Sequence, residues 1–204
     1  MPQPPASAPG HAALARRRLL AGLLALPALA PRTGRAAAAL EFDQRHATVE
    51  FAVAALGLFD LTGRFPRFAG RLQLDPARPE AAALSVALDM RAVEMDDPGR
   101  TALLRSAEFF DTARYPEARY DSQTFTALGA GRYALRGVLA MRGTAQPLRL
   151  EAALRDRRAE PGGGGSIAFQ AGGALSRAAF GMVAEPVLSD TVRLSLRLRL
   201  PWAG

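Results

Sequence analysis

Side chains that ordinarily carry catalysis are scarce in this chain. It has no cysteine and two histidines, His11 and His46. A serine nucleophile would need His46 as its base, in Asp43-Gln44-Arg45-His46-Ala47, and no Gly-x-Ser-x-Gly turn is present to display such a serine. His11 falls in the arginine-rich segment that reads as a leader, and a first-row metal wants several imidazole or thiolate ligands, which the remaining histidine with scattered carboxylates does not supply. Glu94, Asp96 and Asp97 could hold calcium weakly, but Asp96 and Asp97 stand directly before Pro98 and read better as a helix cap. Glu108 and Asp111 flank Phe109-Phe110; a carboxylate pair can do acid and base work, yet charged shoulders on a buried aromatic pair is the simpler reading. The tract from Gly162 to Gly165 is followed by no Lys-Ser or Lys-Thr and is a loop, not a phosphate cradle. The expectation is a protein that is not an enzyme, with no catalytic residue, no metal and no cofactor.

What the chain does supply is soft apolar and aromatic side chains, ten phenylalanines and five methionines. The elements that must hold them follow from hydrophobic periodicity. Val192, Leu194, Leu196, Leu198 and Leu200 alternate with Arg193, Ser195, Arg197 and Arg199, so a slip of one residue would bury three guanidinium groups. The same period of two runs through Val49, Phe51 and Val53; through Leu84, Val86, Leu88 and Met90; through Tyr133, Leu135, Gly137, Leu139 and Met141; and through Leu148, Leu150, Ala152 and Leu154. Turn signals at Gly63, Gly70, Asp75-Pro76, Gly129-Ala130-Gly131 and Gly143 separate the runs. Asp96-Asp97-Pro98 opens a short helix reaching Ser106, with Leu103 and Leu104 on its buried side, and a second helical turn covers Ser176 to Phe180. The fold class is therefore all-β, an antiparallel barrel or sandwich with one short helix in the middle of the chain, and closure into a barrel of about eight strands would remove the exposed edges. Barrels of this size either fill their interior with side chains or enclose one apolar ligand.

Charge divides the chain in two. All 19 acidic residues lie beyond Leu40, whereas the first 39 residues carry five arginines. Arg16-Arg17-Arg18, an apolar run from Leu19 to Ala30 and the small residues Ala36 to Ala39 read as a secretory leader over residues 1–39, of twin-arginine or general type, preceding a barrel domain at 40–204. Export to the periplasm with cleavage near residue 39 is the expected localisation. Without the leader, 21 arginines face 19 carboxylates, scattered along the strands, so no basic face exists for nucleic acid. Every basic residue other than histidine is arginine, which reads as codon bias.

The ordered motifs resemble the YceI-like, polyisoprenoid-binding family of secreted bacterial proteins over about Glu41 to Leu200. His46-Ala-Thr-Val49-Glu-Phe51-Ala-Val53 is similar to the family's opening strand, and Gly63-Arg-Phe65-Pro-Arg-Phe68-Ala-Gly70 to its glycine and phenylalanine hairpin. Leu103 through Asp111 with Tyr115-Pro116, Gly137 through Leu148, and Ser176-Arg177-Ala178-Ala179-Phe180-Gly181-Met182 with Ser189 to Val192 resemble its later motifs. Ala179 stands where the family commonly has an acidic residue, and Ala54-Ala55 where members often carry a histidine. The resemblance implies a lipocalin-like barrel holding a long isoprenoid lipid, a polyprenyl phosphate or an isoprenoid quinone, in an apolar channel, for carriage, storage or stress response. Alternation and resemblance together nominate Phe51, Val53, Phe65, Phe68, Val86 and Leu88 for the channel or its mouth, with Met90, Phe109, Phe110, Leu139, Met141, Phe180 and Met182. Arg105 and Arg177 are the nominated head-group contacts. A barrel with no bound lipid is the second reading and an enzyme acting on a lipid the third. The expected partners are the lipid, a membrane met transiently and, through an exposed apolar rim, a second copy of the chain.

Overall fold

The computed structural model describes residues 38–74, 78, 81–159, 161 and 164–202. The segment read as a leader lies outside them, apart from Ala38 and Ala39. Eleven strands form one antiparallel sheet: β1 (Ala38–Asp43), β2 (Ala47–Ala55), β3 (Phe59–Arg64), β4 (Phe68–Leu74), β5 (Ala83–Asp89), β6 (Glu94–Met95), β7 (Glu117–Gly129), β8 (Arg132–Met141), β9 (Thr144–Ala159), β10 (Gly165–Ser176) and β11 (Leu188–Trp202). Their order is β1-β4-β5-β7-β8-β9-β10-β11-β2-β3-β6.

Eleven strands stand where about eight were expected, and two bends together with one two-residue strand explain the difference. The chain runs from β1 into β2 through the turn at residues 44–46, and from β3 into β4 through Phe65-Pro66-Arg67, where proline cannot donate to a ladder. β2 pairs with β3 and β1 with β4, so each bent strand lies along the other. The Phe65 N–H donates to the Val49 carbonyl at 2.9 Å and carries the pairing past the bends. Counted once each, the bent strands close a ring of eight with β5, β7, β8, β9, β10 and β11. The two-residue β6 clips onto β3. Neither β1 nor β6 stood out in the sequence: β6 is too short for a period to show, and β1 begins inside an alanine run.

Strand register follows the expected alternation. Along β11, Leu198 and Leu200 are buried, while Arg193 pairs with Asp60, Arg197 with Glu50 and Arg199 with Asp156 on the outer surface. The helix α1 (Pro98–Arg105) is one residue shorter than expected; the Asp97 carboxylate accepts the Arg100 N–H at 2.7 Å, and Pro98 occupies its first turn. Leu103 and Leu104 are half-buried. The second helical turn is a single 3-10 turn over Ala178–Phe180.

Gly63 and Gly70 are not turns. They lie within β3 and β4, where a methyl group on Gly63 would sit 2.3 Å from Cζ of Phe51, and one on Gly70 would sit 2.1 Å from Cζ of Phe42. Gly137 does the same on β8, since a Cβ there would lie 2.3 Å from the backbone oxygen of Asp121 and 2.8 Å from Cζ of Tyr120. Backbone cannot retreat as a side chain can. Gly137→Ala should therefore destabilise the barrel by about 2–3 kcal/mol, read as a drop of roughly 5–10 °C in thermal midpoint.

Candidate functional site

The barrel interior is filled at one end and hollow at the other. Toward the β7–β8 hairpin, Tyr133 lies between Phe125 (ring centroids 5.2 Å apart, tilted) and Phe169 (6.2 Å, edge-on), and the three rings fill that end. Toward the end where β2 finishes and β11 begins, the inward side chains leave a cavity of about 430 Å³. That volume falls within the ~300–1,000 Å³ usual for small-molecule sites.

The cavity wall is nearly all apolar. Phe51, Phe65 and Phe110 form a triangle of rings 5.4, 6.4 and 6.0 Å apart on one side. Val86, Leu88, Leu139 and Met141 come from β5 and β8, and Leu148 and Leu150 from β9. Leu194 and Leu196 of β11 complete the circle, and Leu103 and Leu104 of α1 lean in from above. Small residues make the space: Ala55, Ala118 and Ala171 stand in the wall where larger side chains would reach across. Polar residues in the wall are Arg100, Tyr120, Arg177, Glu185 and Ser195.

Of the fifteen nominated residues, the structure brings eleven to this wall: Phe51, Val53, Phe65, Val86, Leu88, Phe109, Phe110, Leu139, Met141, Arg177 and Met182. Phe68, Met90, Phe180 and Arg105 belong elsewhere. Phe68 is drawn under β1, edge-on to Phe42 at 6.5 Å, a contact that required the unforeseen first strand. Met90 leaves β5 for a 3-10 turn and is 1% exposed in the packed core. Phe180 is buried in its own 3-10 turn. Arg105 donates from Nε (3.1 Å) and from a terminal nitrogen (2.8 Å) to the Val93 carbonyl, holding the end of α1 against the chain before it.

Arg177 touches the cavity wall, but its guanidinium is fully engaged. It donates to the carbonyls of Met182 (2.7 Å), Ala184 (2.5 Å), Glu185 (3.0 Å), Leu188 (3.1 Å) and Ser189 (3.1 Å). A guanidinium has five N–H groups, and five carbonyls are served. The residue is buried and shapes the loop between β10 and β11 around itself instead of offering charge to a ligand. Arg142, at the β8–β9 turn, likewise donates to the carbonyls of Ala107, Phe180 and Gly181. The cation that sequence reasoning missed is Arg100. It lines the mouth, and its guanidinium has no partner among the described residues. Its position on α1 was legible; its direction was not.

Tyr120 is the buried hydroxyl of the wall. Its Oη has no hydrogen-bond partner among the described residues, and burial pushes the phenol up to about 12. His46 lies outside the cavity, its Nδ1 3.2 Å from Asp43 Oδ1 in the bend between β1 and β2. Asp43 itself is held down to about 2, first by the Arg45 side chain and then by the Arg45 backbone N–H.

An antiparallel sheet curled around one apolar cavity, with a plugged end and an open one, defines a lipocalin-like barrel. The chain belongs to the YceI-like domain family, which matches residues 40–200. A UPF0312 protein of Shewanella baltica is 30% identical over 155 residues, 76% of this chain and 81% of the relative. Among solved structures, Burkholderia cenocepacia BcnA superposes with a TM-score of 0.69 at 18% identity, covering 77% of this chain and 98% of the other. A polyisoprenoid binding domain from Saccharophagus degradans, implicated in plant cell wall breakdown, gives 0.60 at 16% identity, covering 82% and 99%.

Two outcomes test the roles given to polar residues here. Arg177→Lys, with three donors for five carbonyls, should cost about 2–4 kcal/mol and raise amide hydrogen exchange across residues 182–189. Tyr120→Phe removes a hydroxyl that makes no bond, and should leave stability unchanged or raise it by about 1 kcal/mol. Because the folded phenol titrates above the ordinary value of 10.0, its contribution to stability is complete below pH 10 and is lost as pH rises toward 12. In the wild-type protein that alkaline loss should appear in denaturant titrations, and in Tyr120→Phe it should shrink.

Proposed function

We propose that this protein binds a long isoprenoid lipid in its barrel cavity, in the periplasm after export, for carriage, storage or stress response, and that it is not an enzyme. The observation that carries the reading is the 430 Å³ cavity walled by apolar side chains inside an otherwise packed barrel. Burying a methylene is worth roughly 0.8 kcal/mol relative to water, so an isoprenoid tail does not persist free in an aqueous compartment. The same tail is equally well served by a bilayer. Exchange between membrane and barrel is therefore near balance, as carriage requires. The polyisoprenoid-binding activity named for the Saccharophagus degradans domain supports the ligand class, and membership of the family supports it for this chain.

The head group faces the mouth, where Arg100 supplies an unengaged guanidinium beside Leu103 and Leu104. A polyprenyl phosphate would gain a charge-assisted contact there, and a quinone would not.

Mass spectrometry of an organic extract from protein purified out of its native host should show an isoprenoid near one molecule per chain. Ala171→Phe, and separately Ala55→Phe nearer the mouth, should lower affinity for a polyprenyl phosphate or isoprenoid quinone presented in detergent at least tenfold without lowering the thermal midpoint. Arg100→Gln should weaken the phosphate by roughly tenfold and leave the quinone unchanged. Extracts without lipid, together with cavity-filling variants that bind like the parent, would remove the case for a lipid carrier.

A further inference from the structure

Six large apolar side chains are exposed among the described residues, and five of them gather at the cavity mouth: Leu56, Leu58 and Phe59 on the β2–β3 hairpin, Val183 and Val187 on the loop before β11. Leu58 is 81% and Val183 72% exposed. The two segments are tied together, since the Leu56 N–H donates to the Val187 carbonyl at 2.8 Å and Leu188 pairs with Ala55. Leu56, Phe59 and Val187 also line the cavity, so the lip and the interior wall form one continuous apolar surface.

The hairpin is built at a cost. Leu56 and Gly57 both have positive φ, 53° and 66°, at the two central positions of a turn closed by the Leu58 N–H on the Ala55 carbonyl at 3.0 Å. Asparagine, aspartate or glycine is the usual occupant of such positions. A leucine there carries backbone strain while its side chain remains in water, and strain of that kind collects at functional segments.

We infer that this lip is a docking surface for the lipid bilayer, through which the barrel exchanges its guest. The inference rests on the lipid-binding reading for its purpose and on the exposed side chains for its geometry. A bilayer fits better than a protein partner for two reasons. Five side chains make a patch far smaller than the roughly 20–30 residues per side of a stable protein interface. Charge at the lip is sparse: Asp60 of the hairpin is paired with Arg193, which leaves Glu185 and Arg100 as two isolated charges of opposite sign, too few to set a register for a protein partner. Shallow insertion of leucine, valine and phenylalanine below the head groups needs apolar area alone.

The absence of cysteine allows a single-site probe in the exported chain, cleaved of its leader. A polarity-sensitive nitrobenzoxadiazole dye on Leu58→Cys should brighten several-fold and shift to the blue when neutral phosphatidylcholine vesicles are added. The same dye on Leu128→Cys, the sixth exposed apolar residue, at the opposite β7–β8 end, should not respond. Leu58→Asn combined with Val183→Asn should reduce vesicle flotation about tenfold and leave binding of detergent-presented guest intact. The proposal is overturned if the Leu58 dye ignores vesicles, if it responds to protein concentration alone, which would make the lip a contact between copies, or if binding requires anionic lipid and vanishes at high salt. Placing the dye in the Ala171→Phe background separates the two claims: a response there without guest binding upholds the lip, and failure of every chain to bind guest counts against the carrier reading alone.

Discussion

In a sheet curled on itself every side chain points either into a shared interior or out to water, and a shift of one residue along a strand exchanges the two sets. All else in this barrel depends on that restriction. β11 shows how firmly it is enforced: Leu194, Leu196, Leu198 and Leu200 face inward, while the arginines between them are paired outside with Asp60, Glu50 and Asp156. These exposed pairs contribute little stability one by one. Their effect on register is larger, because the slipped alternative would place guanidinium groups against leucines.

A ring of eight strands with inward leucine, valine and phenylalanine at every second position would ordinarily fill itself. Here the plugged end does so, through Phe125, Tyr133 and Phe169. The hollow end is kept hollow by residues that are small where they face the interior, Ala55, Ala118 and Ala171, and by glycines that let rings lie against neighbouring strands. Gly63 accommodates Phe51 and Gly137 accommodates Tyr120, holding both rings back against the wall. The cavity is thus a product of side-chain volume distributed unevenly along the barrel axis.

The loops at the open end are organised by guanidinium groups acting on carbonyls. Arg105, Arg142 and Arg177 bind the backbone of the segments around the mouth, and none is left to serve as a plain cation. The sequence reading placed Arg105 and Arg177 beside aromatic motifs and assigned them to a head group. Adjacency was read correctly, but a guanidinium beside an aromatic motif does one of two jobs, and which one depends on carbonyls contributed from residues 182–189. The same limit explains Phe68, whose partner Phe42 lies on a strand without a visible period, and Arg100, whose orientation no spacing rule fixes.

Local pattern alone determined the strand class, the inward sets of β2, β8 and β11, the capped helix at Pro98 and the family, because alternation, caps and motif order are properties of neighbouring residues. Only tertiary structure decided that two bent strands close the ring, that four nominated residues lie away from the cavity, and that Arg177 belongs to its loop. Those outcomes depend on which surfaces meet across the sheet. Whether inward side chains touch or leave a space is set by distances between residues far apart in the chain, and a one-dimensional period carries no measure of them.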